Sequence, residues 1–108
     1  MIDVNASPVP ALIKMFIWDK FFIKHYSDGT PCKYYFLRKD GNKLHTVYSH
    51  PEQHRKLVYY VKDCGDNQAA SDLFLAKQKK RLENNYSSLA DNITIQEAVN
   101  GPFSFFTA

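Results

Sequence analysis

The sequence changes its pattern once, at Cys64-Gly65-Asp66-Asn67, and this change limits the chain to strands first and helices last. Before it, runs rich in Tyr, Phe and Val are separated by turn-forming residues, as antiparallel strands require. After it, residues 68–86 contain neither Gly nor Pro and are rich in good helix formers. A chain of 108 residues leaves room for a single domain over 1–108. The sequence therefore predicts an α+β fold.

Two turn signals divide the first half, at Ser27-Asp28-Gly29-Thr30-Pro31 and at Asp40-Gly41-Asn42, and Ser49-His50-Pro51-Glu52 makes a third break. Asp-Gly between aromatic runs favours a hairpin. The predicted strands cover residues 32–39, 43–49 and 56–62. For residues 11–26, strands at 13–18 and 20–26, one bent strand, or a helix all remain open. We expect an antiparallel β-meander of four to five strands over 11–63, after an extended N-terminal arm at 1–10.

The second half predicts a helical part over 66–100. Asp66 can cap a helix that runs from about 68 to 86 and packs on one face of the sheet. Leu75 and Leu82 fall at helical spacing within it. Thr94-Ile95-Gln96-Glu97 is a capping box and predicts a short second helix, which Gly101-Pro102 would end. Residues 101–108 form an apolar tail.

Basic residues are concentrated in the strand region. Residues 1–64 hold ten Lys/Arg and six Asp/Glu, whereas residues 65–108 hold four and five. Because side chains alternate across a strand, one face can be sorted from the other by parity. Sorting in this way places seven lysines and four aromatic residues on one face without a carboxylate: Lys20, Phe22, Lys24, Tyr26, Lys33, Tyr35, Lys39, Lys43, Lys56, Tyr60 and Lys62. The opposite, apolar face is expected to meet the long helix.

That basic aromatic face predicts a partner-binding surface. Lysines contact phosphate or carboxylate groups, and flat aromatic rings stack on bases. A solvated outer face would also carry Tyr, which has high strand propensity, and Lys, which guards sheet edges. A second basic patch lies on the helix at Lys77, Lys79, Lys80 and Arg81 and is most simply a solvated face.

The function expected from this surface is that of a non-catalytic binding protein. It would dock its basic aromatic face onto an acidic macromolecular surface, an acidic protein surface or a nucleic acid, as a small accessory protein or inhibitor of the kind that phages or mobile elements encode. The first alternative is a module that binds DNA or RNA directly. The second is a structural subunit of an oligomer or complex that docks through Phe103, Phe105 and Phe106 of its tail.

The sequence gives little support for catalysis, a metal or a cofactor. The four glycines form no phosphate-cradling loop, and no nucleophile-elbow motif occurs. His45, His50, His54, Cys32 and Cys64 match no zinc-ligand spacing. We therefore expect no enzyme activity, no cofactor and no metal. Whether Cys32 and Cys64 pair is open, although reduced thiols are the simpler expectation.

Charged residues at Lys14, Asp19, Lys20 and Lys24 interrupt the first apolar stretch, so it does not predict a membrane-spanning helix. The N-terminal residues lack the features of a signal peptide. The sequence therefore predicts a cytoplasmic protein that does not enter a membrane.

Overall fold

The structure is a computed structural model that describes residues 7–8, 13–29, 31–53 and 56–99. The strands of this part of the chain are β1 (Ser7–Pro8), β2 (Trp18–His25), β3 (Pro31–Asp40), β4 (Lys43–Ser49), β5 (Leu57–Asp63) and β6 (Ser87–Ile93). A 3-10 helix (Ile13–Met15) precedes β2, and the α-helices are α1 (Asn67–Glu83) and α2 (Ile95–Val99). The apolar tail 101–108, with Phe103, Phe105 and Phe106, lies outside the described residues, as does most of the arm 1–10.

The strands form one antiparallel sheet in the order β1-β5-β4-β3-β2-β6. Strands β2 to β5 are the predicted meander, α1 packs on one face, and the α+β class is confirmed. The Asp40-Gly41-Asn42 hairpin signal is also confirmed. Asp40 pairs with Lys43 across a two-residue loop, and Gly41 occupies it with a φ of 59°, which side chains disfavour.

Both predicted helix caps are confirmed. The Asp66 carboxylate accepts a hydrogen bond from the Ala69 N–H at 2.7 Å and so satisfies a free donor of the first turn of α1. At α2, the Thr94 hydroxyl accepts from the Glu97 N–H at 3.1 Å, and the Glu97 carboxylate accepts from the Thr94 N–H at 3.2 Å. These reciprocal bonds form the capping box that the sequence indicates.

Residues 13–26 combine a 3-10 turn with one strand, so the predicted strand near 20–26 is confirmed and the one at 13–18 is not. Ile13–Met15 form a 3-10 turn, and the Phe16 N–H donates to the Ile13 carbonyl at 3.1 Å. A single strand then runs over Trp18–His25, so a strand at 13–18 is wrong. Three consecutive residues in β2, Phe21 to Ile23, are fully buried. Burial of consecutive residues requires that both faces of the sheet be covered.

Strand β6 is absent from the sequence prediction. Helix α1 ends at Glu83 rather than near 86, and Asn85 adopts a left-handed φ of 67°. The chain then pairs with β2, with a register shift between Phe21 and Phe22. The segment Ser-Ser-Leu-Ala-Asp-Asn-Ile has few strand-forming residues, so its pairing depends on the exposed edge of β2 rather than on local propensity.

The two faces of the sheet bury separate clusters. On what we call the α2 face, residues of β2, β3 and β4 pack against the 3-10 helix and α2; the buried members are Ile13, Trp18, Phe21, Ile23, Tyr34, Phe36, Val47, Ile95 and Ala98. On the α1 face, Phe22, Tyr35, Leu37 and Leu44 pack with Leu73, Phe74 and Tyr86. The expectation that the apolar face meets the long helix is therefore wrong, because large apolar side chains occupy both faces and α1 covers the one with the lysines.

The pairing register corrects one further assignment. Tyr35 pairs with Tyr48 and Lys39 with Leu44, so odd-numbered residues of β3 share a face with even-numbered residues of β4. Lys43 therefore lies on the α2 face and not beside Tyr35. The cause is the two-residue loop, which pairs Asp40 with Lys43 and so inverts parity between the two strands.

Candidate anion-binding cleft

Helix α1 presents a cationic turn to the sheet. Ala70 is fully buried, and Leu73 and Phe74 pack on the sheet. Continuing this stripe by helical spacing reaches Lys77 and Arg81, which are half-buried. The stripe predicted from the sequence is wrong: Leu75 and Leu82 are 59% and 50% exposed.

The sheet places hydroxyl groups opposite this turn. The cross-strand pairs Tyr35–Tyr48 and Thr46–Tyr60 put these side chains on the α1 face. Between helix and sheet lies an open cleft of about 350 Å³. Six residues line it: Tyr35, Thr46, Tyr48, Tyr60, Lys77 and Arg81. We call these residues the cleft set.

Arg81 is held in place by aromatic rings. Its guanidinium carbon lies 4.2 Å from the ring centroid of Tyr35 and 5.5 Å from that of Tyr86. Cation–π attraction at such distances contributes about 0.5–2 kcal/mol, more where water is excluded. The Arg81 Nε is buried and has no hydrogen-bond partner among the described residues. Its position is thus fixed by stacking while a donor remains unused.

Thr46 supplies a second buried polar group. The residue is 2% exposed, and its hydroxyl interacts with the Tyr35 hydroxyl in a way that acts to lower the pKa of Tyr35, although the geometry of this contact is poor for a hydrogen bond. A buried polar group without a partner costs about 1–3 kcal/mol. The Arg81 Nε and the Thr46 hydroxyl are therefore poorly satisfied polar groups buried at the wall of the cleft.

The ammonium group of Lys77 is repelled by neighbouring positive charges. Burial lowers its pKa below the ordinary value, and the neighbouring charges of Arg81, Lys62 and Lys80 lower it further. Arg81, Lys62 and Lys80 thus each lie close enough to Lys77 to disfavour its charged form, with Cys64 opposing them. An anion between them would remove that repulsion.

The two tyrosines beside Arg81 remain neutral. Burial raises the pKa of Tyr35, opposed mainly by Arg81, and burial likewise raises the pKa of Tyr86. Both phenols therefore keep their protons at neutral pH, and no negative oxygen develops beside Arg81.

Carboxylates are not part of this site. The cleft set contains no Asp or Glu. Ion pairs in the described part of the chain join Lys20 to Asp91 at 2.9 Å and Lys79 to Glu83 at 4.0 Å, both away from the cleft set. The cleft thus concentrates hydrogen-bond donors and positive charge without an internal acid.

The structure divides the predicted surface residues. Phe22 and Tyr35 are 0% and 5% exposed, so they support α1 and cannot form an outer docking surface. Lys20 is paired with Asp91, an acid of the C-terminal half, and Lys43 lies on the α2 face. Lys24, Lys33 and Lys39 lie along β2 and β3, Tyr26 and Lys56 flank strands, and Lys79 is exposed on α1.

Predicted residues from both patches meet at the cleft. Tyr35 and Tyr60 of the sheet join Lys77 and Arg81 of the helix. Lys62 and Lys80 are their charged neighbours. Sequence reasoning missed Thr46 and Tyr48, which the hairpin register would have placed beside Tyr35.

The α2 face carries a different polar group. His45 Nδ1 and the Tyr59 hydroxyl are 2.6 Å apart, and their rings stack at 5.9 Å. Burial lowers the pKa of His45, with Arg38 and Lys43 adding to the effect and Asp40 opposing it. His45 is therefore a neutral imidazole within a packed layer.

The remaining candidate ligands are dispersed. Among the described residues, no three His, Cys, Asp or Glu side chains are grouped to hold a metal ion. Cys32 and Cys64 are not joined in a disulfide, and His50 Nδ1 accepts backbone hydrogen bonds from Glu52 and Gln53 at 3.1 Å. His54 lies outside the described residues. No described helix combines the length and apolar character needed to cross a membrane.

Searches against protein-family models, curated proteins and solved structures found no match to this chain. Its function is therefore judged from the geometry of the cleft set.

Proposed function

We propose that this chain is a non-catalytic binding protein that takes an anionic group of a macromolecular partner into the cleft between α1 and the sheet. One observation carries the proposal: Lys77 and Arg81 are held half-buried, the Arg81 Nε has no hydrogen-bond partner among the described residues, and the cleft set contains no carboxylate. A solvated basic face gains nothing from such burial, since exposed cations avoid both desolvation and repulsion.

The anion would gain from several groups at once. Charge-assisted hydrogen bonds are about twice as strong as neutral ones, and stacking on Tyr35 fixes the Arg81 guanidinium before binding. Phosphate and carboxylate share the required chemistry. A small protein with such a site would act by covering the anionic surface of its partner, as an accessory protein or an inhibitor does.

Polyanion titrations test this function. Polyglutamate, heparin and a mixed-sequence oligonucleotide are titrated against the purified full chain at low salt. We expect at least one to bind, and Lys77→Gln to weaken that binding about tenfold or more, since a hydrogen bond to a charged group contributes about 1.5–3 kcal/mol. Lys79→Gln is the matched control, because Lys79 is 80% exposed, pairs with Glu83 and lies outside the cleft set.

Arg81→Lys separates position from charge. Lysine keeps the charge but loses the planar stacking on Tyr35, so binding should weaken although net charge is unchanged. Absence of binding by all three polyanions, or equal affinities of the Lys77→Gln and Lys79→Gln variants, would remove the proposed function.

A further inference from the structure

We infer that the anion is the phosphate of a single-stranded nucleic acid, with the adjacent base against Tyr60. The inference rests on the proposed function and names the class of partner for the same cleft. A single-stranded nucleic acid differs from an acidic peptide in three properties: its anion is tetrahedral, a flat base lies beside that anion, and further phosphates follow along the strand.

The donors suit a tetrahedral anion. Arg81 and Lys77 approach from the helix, whereas Thr46 approaches from the floor of the sheet. A phosphate presents oxygens in several directions and can accept from both cations at once, above the buried Thr46 hydroxyl. A carboxylate is planar, and its best arrangement is a two-point contact with the edge of one guanidinium.

The size and walls of the cleft suit a nucleotide. A volume of about 350 Å³ falls at the lower end of small-molecule sites and exceeds the needs of one phosphate. Tyr48 and Tyr60 are half-buried and supply aromatic surface next to the two cations. Every base has a flat face, so such walls give affinity without sequence preference.

A base must be unpaired to enter this cleft. One side is formed by helix α1 and the floor by the sheet, so a base inside it cannot also pair with a second strand. Double-stranded nucleic acid would offer phosphates alone. Single strands are therefore preferred over duplexes.

Neighbouring cations extend the site along a strand. Lys62 at the end of β5 and Lys80 on α1 are both close enough to Lys77 to lower its pKa. With Lys77 and Arg81 they give four positive groups for successive phosphates. Each phosphate neutralised on a single strand contributes about −0.7 to the slope of log affinity against log salt. The four groups predict a slope of about −3.

The experiment measures fluorescence anisotropy of a labelled oligothymidine of about ten nucleotides, the scale of single-strand sites, between about 50 and 200 mM salt. We expect the steep slope above. Lys77→Gln should weaken binding about tenfold and reduce the slope by about 0.7. Tyr60→Leu should weaken binding about tenfold and leave the slope unchanged, because it removes stacking alone, whereas Tyr60→Phe should bind like wild type.

Three probes separate the outcomes. An abasic oligomer of equal length that binds as tightly as oligothymidine would overturn base stacking, and a duplex that binds as tightly would overturn the single-strand preference. Lys77-dependent binding of polyglutamate without binding of oligothymidine overturns this inference but keeps the proposed function. If no probe binds, both fail. Thermal unfolding of each variant confirms that it is folded before binding is compared.

Discussion

Both faces of the sheet are covered, but they differ in how completely they are packed and in the charge of the residues that cover them. On the α2 face, Phe21 and Phe36 stack at 4.7 Å, and Tyr34 meets both rings edge-on. On the α1 face, the apolar cluster gives way to Lys77 and Arg81, and the Arg81 guanidinium lies over the Tyr35 ring. The first face is packed for stability, whereas the second gives up complete packing for a cationic cleft.

This difference has a physical cause in the length and stripe of α1. Seventeen residues span about 25 Å, so one helix cannot cover a six-stranded sheet completely. Its first turns carry Ala70 and Phe74 and close the apolar cluster. Its last turns carry Lys77 and Arg81 above β3, β4 and β5, where the cleft opens.

The largest effect should come from removing a ring on the α2 face. Phe36→Ala deletes a fully buried side chain that contacts Trp18, Phe21 and Tyr34. We expect a loss of about 3–5 kcal/mol in the free energy of unfolding, measured by denaturant titration. Leu82→Ala is the control, since Leu82 is half-exposed and should change stability by less than about 0.5 kcal/mol.

Phe22→Ala makes the same change on the α1 face and sharpens the contrast. Phe22 is fully buried and its ring lies 6.5 Å from that of Tyr35, on which Arg81 stacks. Folded Phe36→Ala should bind polyanions like wild type, whereas folded Phe22→Ala should bind less tightly. Equal binding by the two variants would contradict a functional division between the faces.

The next effect concerns the helix that forms the cleft. Asp66→Ala removes the cap at the N-terminus of α1, and Ala69 N–H loses its acceptor. We expect a loss of about 1 kcal/mol in unfolding free energy, read from the denaturant midpoint. Asp72→Ala is the control within the same helix, because the Asp72 carboxylate accepts a hydrogen bond from the side chain of Gln68 rather than from a backbone N–H of the first turn. A larger loss from Asp72→Ala would contradict the importance of the cap.

Local signals predict some of this architecture from sequence. The Gly41 loop and the caps at Asp66 and Thr94 are each decided by neighbours within four residues, and all three are confirmed. Local signals do not predict which face of the sheet α1 covers. Phe21 and Phe22 are adjacent and equally buried, so alternation in hydrophobicity does not distinguish the two faces.

The candidate site was partly within reach of the sequence. A two-residue loop requires Asp40 to pair with Lys43, which places Thr46 and Tyr48 beside Leu37 and Tyr35. The helical stripe was harder, because Leu75 and Leu82 suggested one face while Ala70 and Phe74 occupy another. Only tertiary packing decides which of these two faces of α1 meets the sheet, and this choice also sets the direction of Lys77.

The faces should also respond to acid differently. Burial holds the pKa of His45 in the folded chain below the ordinary value of 6.5. At a pH between these two pKa values, the unfolded chain binds a proton that the folded chain excludes. Stability therefore falls as pH decreases below about 6.5. The unfolding midpoint of His45→Gln should depend less on pH between about 7.5 and 5.5 than that of wild type.

Lys77→Gln is the matched variant for the α1 face. The lowered pKa of Lys77 makes stability depend on pH between that pKa and the ordinary value of 10.5, where stability rises with pH as the ammonium loses its proton. Acid sensitivity should thus be the same in Lys77→Gln as in wild type. If Lys77→Gln removes it and His45→Gln does not, the assignment of the acid response to the α2 face is wrong.

The smallest effect should come from the ion pair at the sheet edge. Lys20 on β2 and Asp91 on β6 are 2.9 Å apart, but their side chains are 30% and 56% exposed. Exposed pairs contribute about 0–1 kcal/mol, because water and salt screen both charges. Asp91→Asn should lower the denaturant midpoint slightly at low salt, and the difference should shrink as salt is added. A salt-independent loss above about 2 kcal/mol would show instead that Asp91 has a structural role in holding β6 against β2.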